Sequence, residues 1–220
     1  IVPWQMLHDR TGVQLKVLPV TPDGLSDLDR LDELVTDHTA LIALTHISNV
    51  TGAITDVPRV VKKAKSAGAR VLLDGAQAMG HGPVDVQKLG IDFYAGSGHK
   101  MYGPTGVGVV YIADGIKAQM QPFHFGGEMI ERVTIEQTSF RTIPYLLETG
   151  TPNISGVLGL NAAIEFMSLN AFKRQQELEQ ETYQYLIYQL KTVAKVRLLG
   201  DTDNNIGIAS FIVEGESVAD

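Results

Sequence analysis

Along the first half of the chain, short apolar runs alternate with amphipathic stretches. Leu41-Ile42-Ala43-Leu44, Val71-Leu72-Leu73, Ile91 to Ala95 and Val107 to Tyr111 are continuous rather than alternating, as strands covered on both faces are. Between the first two, Asp56 heads a helix with Val57, Val60, Val61 and Ala64 on one face, and Gly68 stops it. A shorter helix is predicted around Val86 to Leu89. The segment 40–112 therefore reads strand, helix, strand, helix, strand, loop, strand. That order predicts an α/β fold with a mostly parallel sheet covered by helices.

The flanks carry weaker patterns. Trp4 to Arg10 reads as the tail of a helix closed by Gly12, and Val13, Leu15, Val17 and Leu18 suggest a strand. Thr21-Pro22-Asp23-Gly24 is a turn, and Ser26 with Asp29 has capping-box character ahead of a helix through Leu34. Beyond Asp114, Phe123 to Met129 is a glycine-hinged loop and Arg132 to Arg141 alternates like an exposed hairpin. A turn from Glu148 to Asn153 launches an apolar helix over Ser155–Leu169. A more polar helix follows from Phe172 to Ala194, its expected core stripe at Leu178, Tyr185 and Leu186. Val196–Leu199 and Ile206–Val213 read as strands. The change of texture places a boundary near Leu169, giving a large domain over 1–169 and the start of a smaller α+β domain over 170–220.

Composition narrows the partners. A net charge of −7 with no basic run argues against nucleic acid and anionic membranes, and no apolar stretch is long enough to span a bilayer. The 220 residues include no cysteine, which rules out disulfides, thiolate metal sites and a cysteine nucleophile within them and fits a cytoplasmic protein. The first residues, Ile1-Val2-Pro3-Trp4, lack an initiator methionine and a signal pattern, and the last follow closely on an apolar run. Both ends are expected to be cuts within a longer protein.

Candidate chemistry gathers after two of the strands. Lys100 lies in Ser97-Gly98-His99-Lys100-Met101-Tyr102-Gly103-Pro104-Thr105-Gly106, just past a core strand, where an amine can be made nucleophilic. Asp74 ends the strand Val71–Leu73, 26 residues earlier, room enough for a crossover between parallel strands. If both strands share a sheet, the acid and the amine emerge at the edge where open α/β sheets bind ligands. A carboxylate for a pyridinium nitrogen and a lysine for an imine are what pyridoxal phosphate (PLP) chemistry requires. An N-capping aspartate and an unrelated lysine fit the same spacing, which does not choose between the two.

Ser97 and His99 suit a phosphate, bringing hydrogen bonds without a second fixed positive charge beside Lys100. Gln77 and Asn49 suit the phenolic oxygen of PLP, or equally their own loop backbones. Other chemistries fit less well. His46, His81 and His99 lie near strand ends but lack metal-ligand spacing, and no metal site is expected. Gly103 to Gly106 lacks the Walker pattern, and no Gly-x-Ser-x-Gly elbow supports a hydrolase triad.

Taken together, Asp74-Gly75-Ala76-Gln77, the lysine decapeptide and Gly150-Thr151-Pro152-Asn153 resemble the class V aminotransferase family, most closely its cysteine desulfurases of the SufS/CsdA group. His46-Ile47-Ser48-Asn49-Val50-Thr51-Gly52, Trp4-Gln5 and Gly126 to Ile130 match in the same order along nearly the whole chain. The resemblance implies the PLP-dependent fold type I and a homodimer with active sites at its interface. It implies that Lys100 is the Schiff-base lysine and Asp74 the partner of the pyridine nitrogen. Gln77 would lie near the phenolic oxygen and Asn49 beside the cofactor. Ser97 and His99 would bind the phosphate, with Thr151 contributed by the other subunit.

In such enzymes L-cysteine displaces the lysine, and a cysteine thiolate takes the substrate sulfur as a persulfide. Alanine is released, and a protein of the SufE, SufU or CsdE kind accepts the sulfur for iron–sulfur cluster assembly. The resemblance also implies that the nucleophilic cysteine, the histidine that stacks on the ring and the first phosphate-binding turn lie outside this chain. The expectation is thus an internal fragment holding half a cofactor site and making no persulfide by itself. The rival expectations are another class V enzyme, either a selenocysteine or cysteine lyase or a kynureninase-like hydrolase, and a catalytically silent scaffold.

Overall fold

A computed structural model describes residues 1–217. The four apolar runs form one sheet in the order β1 (Leu41–Thr45), β2 (Arg70–Asp74), β3 (Phe93–Ser97) and β4 (Gly108–Ile112). β2 and β3 are parallel, with Leu73 beside Tyr94 and Asp74 beside Ala95. The Arg70 amide donates to the Ala40 carbonyl and the His46 amide to the Asp74 carbonyl, so β1 and β2 advance in the same direction. β4 is antiparallel to β3, with Tyr94 opposite Tyr111 and Ser97 opposite Gly108, because the loop between them is too short for a parallel crossover. One face of β2 is covered, with Val71 and Leu73 2% and 0% exposed while Arg70 and Asp74 on the other face are exposed, and β4 is open, with Val110 67% exposed.

The crossover from β1 to β2 is α3 (Val57–Ala67). The Asp56 carboxylate accepts from the Arg59 amide at 3.1 Å, Gly68 closes the helix at φ 73°, and Val57, Val60, Val61 and Ala64 are all buried. Burying each of those valines contributes about 1.5–3 kcal/mol. α4 (Val86–Leu89), capped by Asp85, leads into β3, and α5 (Asp114–Lys117) follows β4. The exposed hairpin forms as β5 (Ile130–Val133) and β6 (Thr138–Phe140). α6 (Ile154–Met167) starts at Asn153, whose Oδ1 accepts the Gly156 amide at 2.9 Å.

Four expectations are corrected. α1 (Val2–Thr11) ends at Gly12 as expected, but residues 13–18 form no strand: they find no ladder among the described residues, and Val17 is 70% exposed. Ser26 does not cap a helix, because it makes a bridge with Val20. Asp29 binds Arg59 at 2.7 Å, and only a 3₁₀ turn and the single-turn α2 (Leu31–Leu34) follow. In α7 (Asn170–Thr192) the buried residues are Phe172, Tyr183 and Ile187, whereas Leu178, Tyr185 and Leu186 are exposed. That helix carries two apolar stripes, and periodicity does not say which one packs. β7 (Val196–Leu199) pairs with a β8 that covers only Ser210–Val213. Ahead of it, the amides of Gly207 and Ile208 donate to the Asn205 side chain instead of to a neighbouring strand.

By internal contacts the chain forms two compact units. One contains Ile1–Ile42, Ile47–Val71 and the chain from Gln180 onward; the other contains Ala43–His46 and Leu72–Glu179. The carboxyl ends of β1, β2 and β3 belong to the second. Among the described residues no single helix is long and apolar enough to cross a membrane.

Candidate active site

Asp74 ends β2 beside Ala95, and Ser97 follows two residues later on the parallel strand β3. Alternation along the strands puts Asp74, Ala95 and Ser97 on one face of the sheet, with Leu73 and Tyr94 on the other. The backbone around Asp74 is held from both sides. Its carbonyl accepts the His46 amide at 2.8 Å, and the next amide, of Gly75, donates to the Ala95 carbonyl at 2.8 Å. The exposed carboxylate accepts the Ala76 amide at 2.9 Å. A hydrogen-bonded but open acid at a strand end is available to a cationic ligand.

The lysine loop is built from the same edge. After Ser97, residues Gly98–Lys100 form one 3₁₀ turn, and the Gly98 carbonyl accepts the amides of Met101 and Gly103 at 3.0 and 2.9 Å. A Cβ on Gly98 would lie 2.8 Å from the Val107 carbonyl oxygen, so only glycine lets the loop close on itself. His99 and Lys100 are left exposed, and Lys100 Nζ has no hydrogen-bond or ion-pair partner among the described residues. Tyr102 adopts a left-handed φ of 63°, a conformation that costs a non-glycine residue about 1 kcal/mol. Its ring is held edge-on by Phe166 and Phe172, with centroids 5.7 and 5.4 Å away. Half-buried Gln77 precedes the 3₁₀ turn Ala78–Gly80, and a side chain on Gly80 would collide with the Lys100 carbonyl. The turns after β2 and β3 therefore touch backbone to backbone.

Asp74, Gln77, Ser97, His99 and Lys100 are thus gathered at one sheet edge. Thr151 is exposed in the turn ahead of α6, two residues before Asn153, whose side-chain Nδ2 donates to the Gly106 carbonyl at 3.1 Å. Asn49 is exposed in the turn after β1 and belongs to the other unit.

Tyr94, read from sequence only as part of an apolar strand, packs beneath Gly75 on the opposite face. A Cβ at 75 would fall far inside contact with its ring. The Tyr94 hydroxyl lies 2.9 Å from His46 Nδ1, and the two rings meet edge-on at 5.7 Å. Burial pushes the Tyr94 phenol well up, the Asp74 charge adding to it, and burial pushes the His46 imidazole down, so both are neutral at pH 7. The available signal was a glycine directly after the strand-end acid, level with a tyrosine one strand over.

The sequence profile of the aminotransferase class-V family matches residues 1–220. The chain belongs to that family. Relatives of the chain include a cysteine desulfurase from Escherichia coli O157:H7 (strain EC4115 / EHEC) and one from Shigella sonnei (strain Ss046). Each is 43% identical over 212 residues, which are 96% of this chain and 52% of the relative. The chain therefore spans about half the length of the curated relatives it matches. Among solved structures, the cysteine desulfurase CsdA (S-sulfonic acid) from Escherichia coli superposes with a TM-score of 0.91 at 37% identity, over 100% of this chain and 55% of that one. A cysteine desulfurase from Thermococcus onnurineus NA1 gives 0.85 at 33% identity, over 98% and 54%. The fold is the expected fold type I, with a mostly parallel sheet.

Proposed function

We propose that this chain is the cofactor-binding part of a PLP-dependent cysteine desulfurase. The whole protein converts L-cysteine to L-alanine and passes the sulfur, as a persulfide on an enzyme cysteine, towards iron–sulfur cluster assembly. The observation that carries the reading is the shared edge, with an acid ending β2, a hydroxyl ending β3 and an imidazole and an amine just after it. The class-V match and the desulfurase relatives support it.

This donor set fits PLP. Asp74 would keep the ring nitrogen protonated, Ser97 and His99 would donate to the phosphate, and Gln77 and Asn49 would border the ring oxygen. Lys100 would hold the aldehyde covalently. Thr151 would serve the phosphate of a second copy in a homodimer. When bound, PLP supplies a sink for the electron pair left by the substrate's α-proton. Lys100 Nζ would take that proton and return one.

Sulfur transfer needs a thiolate. An S–S bond forms as the substrate C–S bond breaks, and the electron pair left on carbon is protonated to give alanine. With no cysteine among the 220 residues, that thiolate belongs to residues outside this sequence. We assign 1–169 to the PLP-binding domain and 170–220 to the start of the small domain. A cytoplasmic setting and an acceptor of the SufE, SufU or CsdE kind complete the proposal.

The test uses the whole protein loaded with PLP. Borohydride is expected to fix PLP irreversibly to wild type and not to Lys100→Ala, and wild type is expected to release alanine from L-cysteine. PLP that borohydride fixes as firmly to Lys100→Ala removes the lysine assignment, and a coloured protein that forms no alanine removes the substrate.

A further inference from the structure

Behind Asp74, on the opposite face of the sheet, stands a polar pair that this chemistry does not use. Tyr94 is 3% exposed, and its hydroxyl shares a 2.9 Å hydrogen bond with His46 Nδ1. Its ring occupies the space a side chain at Gly75 would need. His46 in turn donates its amide to the Asp74 carbonyl, and Gly75 donates its amide to Ala95 on the strand that carries Tyr94. The 74–75 peptide is therefore enclosed by the His46 amide, the Ala95 carbonyl and the Tyr94 ring, with the His46–Tyr94 bond closing the circle from β1 to β3. Space filling alone does not require this: a phenylalanine at 94 would fill the same volume and leave Nδ1 of half-buried His46 without its partner.

We propose that His46 and Tyr94 are positioning residues whose mutual hydrogen bond fixes the end of β2 and so holds the Asp74 carboxylate in the direction of the cofactor's ring nitrogen. The inference rests on the PLP reading given above. A carboxylate that keeps a ring nitrogen protonated works only when held within about half an ångström of its productive place. A hydrogen bond made in the low-dielectric interior holds more firmly than one in water.

The test compares Tyr94→Phe, His46→Phe, the double variant and His46→Gln in the PLP-loaded whole protein. Breaking the bond is expected to speed amide exchange across Leu72–Gly80 about fivefold, the effect of one net hydrogen bond. It is also expected to move the pH midpoint of the cofactor's visible absorbance, and to lower kcat with little change in KM. His46→Gln, which keeps a side-chain donor and acceptor, restores part of all three. The double variant changes no more than either single one, because both remove the same bond.

Unchanged exchange across Leu72–Gly80 overturns the proposal whatever the enzyme does. So does a lower melting temperature with an unmoved pH midpoint and kcat, the signature of packing alone. If wild type binds no PLP, the cofactor reading fails, the claim about the ring nitrogen falls with it, and exchange alone decides whether the pair fixes Asp74. If wild type is active but exchange does not respond, the function stands and the positioning role falls.

Discussion

Gly75→Ala is expected to strip the whole protein of most of its PLP affinity by adding one methyl group. Backbone conformation is not the cause, since Gly75 is not among the positive-φ residues. The new Cβ would fall inside contact with Cζ, Cε1 and Oη of Tyr94, a ring that is 3% exposed and tied to His46. With no room for the ring to swing, residue 75 must lift from β3. Overpacking of this kind costs about 1–3 kcal/mol. Lifting also breaks or lengthens the 2.8 Å bond from the Gly75 amide to the Ala95 carbonyl, for about 1 kcal/mol more. The displaced peptide is the one that carries Asp74, so the unliganded protein can relax the strain and PLP binding must restore it. About 2–4 kcal/mol on binding weakens affinity about 30- to 1000-fold. Titration followed by cofactor absorbance reads this directly, with Gly82→Ala as the control because nothing lies within 4 Å of its added Cβ. Equal PLP affinity in the two variants would refute the reasoning.

Three further outcomes follow from burial, capping and charge. Leu73→Ala empties a site with 0% exposure in the middle of β2 and is expected to cost about 2–5 kcal/mol, read as a lower urea midpoint. Asp56→Ala removes the cap that accepts the Arg59 amide and should cost about 1 kcal/mol, with Asp56→Asn close to neutral. Burial lowers the pKa of His46 and His81 in the folded state, so below the ordinary imidazole value of about 6.5 the unfolded chain binds more protons than the folded one. Stability therefore falls as pH drops through that value towards the lower folded ones. Melting temperatures at pH 7.5 and 5.5 measure the loss, which His46→Gln should make shallower.

The parallel core was legible because its signals were local and redundant. Asp56, four small apolar residues at helical spacing and Gly68 each pointed to α3, and each behaves as expected. The lysine turn was legible for the same reason, since glycines at 98, 103 and 106 tolerate little else. What sequence could not decide was competition among partners. Residues 13–18 have strand composition, but a strand exists only where another backbone pairs with it. Asp29 looked like a capping residue until Arg59, thirty residues away, took its carboxylate. Tyr94 escaped notice because its role depends on an empty Cβ position across the sheet.

Register links the apolar core to the candidate acid. Asp74 shares a face with Ser97 only because it stands beside Ala95, with Leu73 beside Tyr94. A slip of one residue would turn the carboxylate to the buried face and bring Val71 and Leu73, 2% and 0% exposed, out of it. Exposing those two side chains forfeits about 3–6 kcal/mol, before the cost of burying an unpaired carboxylate is added. The hydrophobic face of β2 thus determines where its last residue points, and chemistry on one side of the sheet is aimed by packing on the other. A variant that weakens that packing without slipping the strand, such as Val71→Ala, should lose stability and keep the direction of Asp74. Its melting temperature should fall while the pH midpoint of the bound cofactor's absorbance stays where it was; a moved midpoint would mean that the core does not set the aim of the acid.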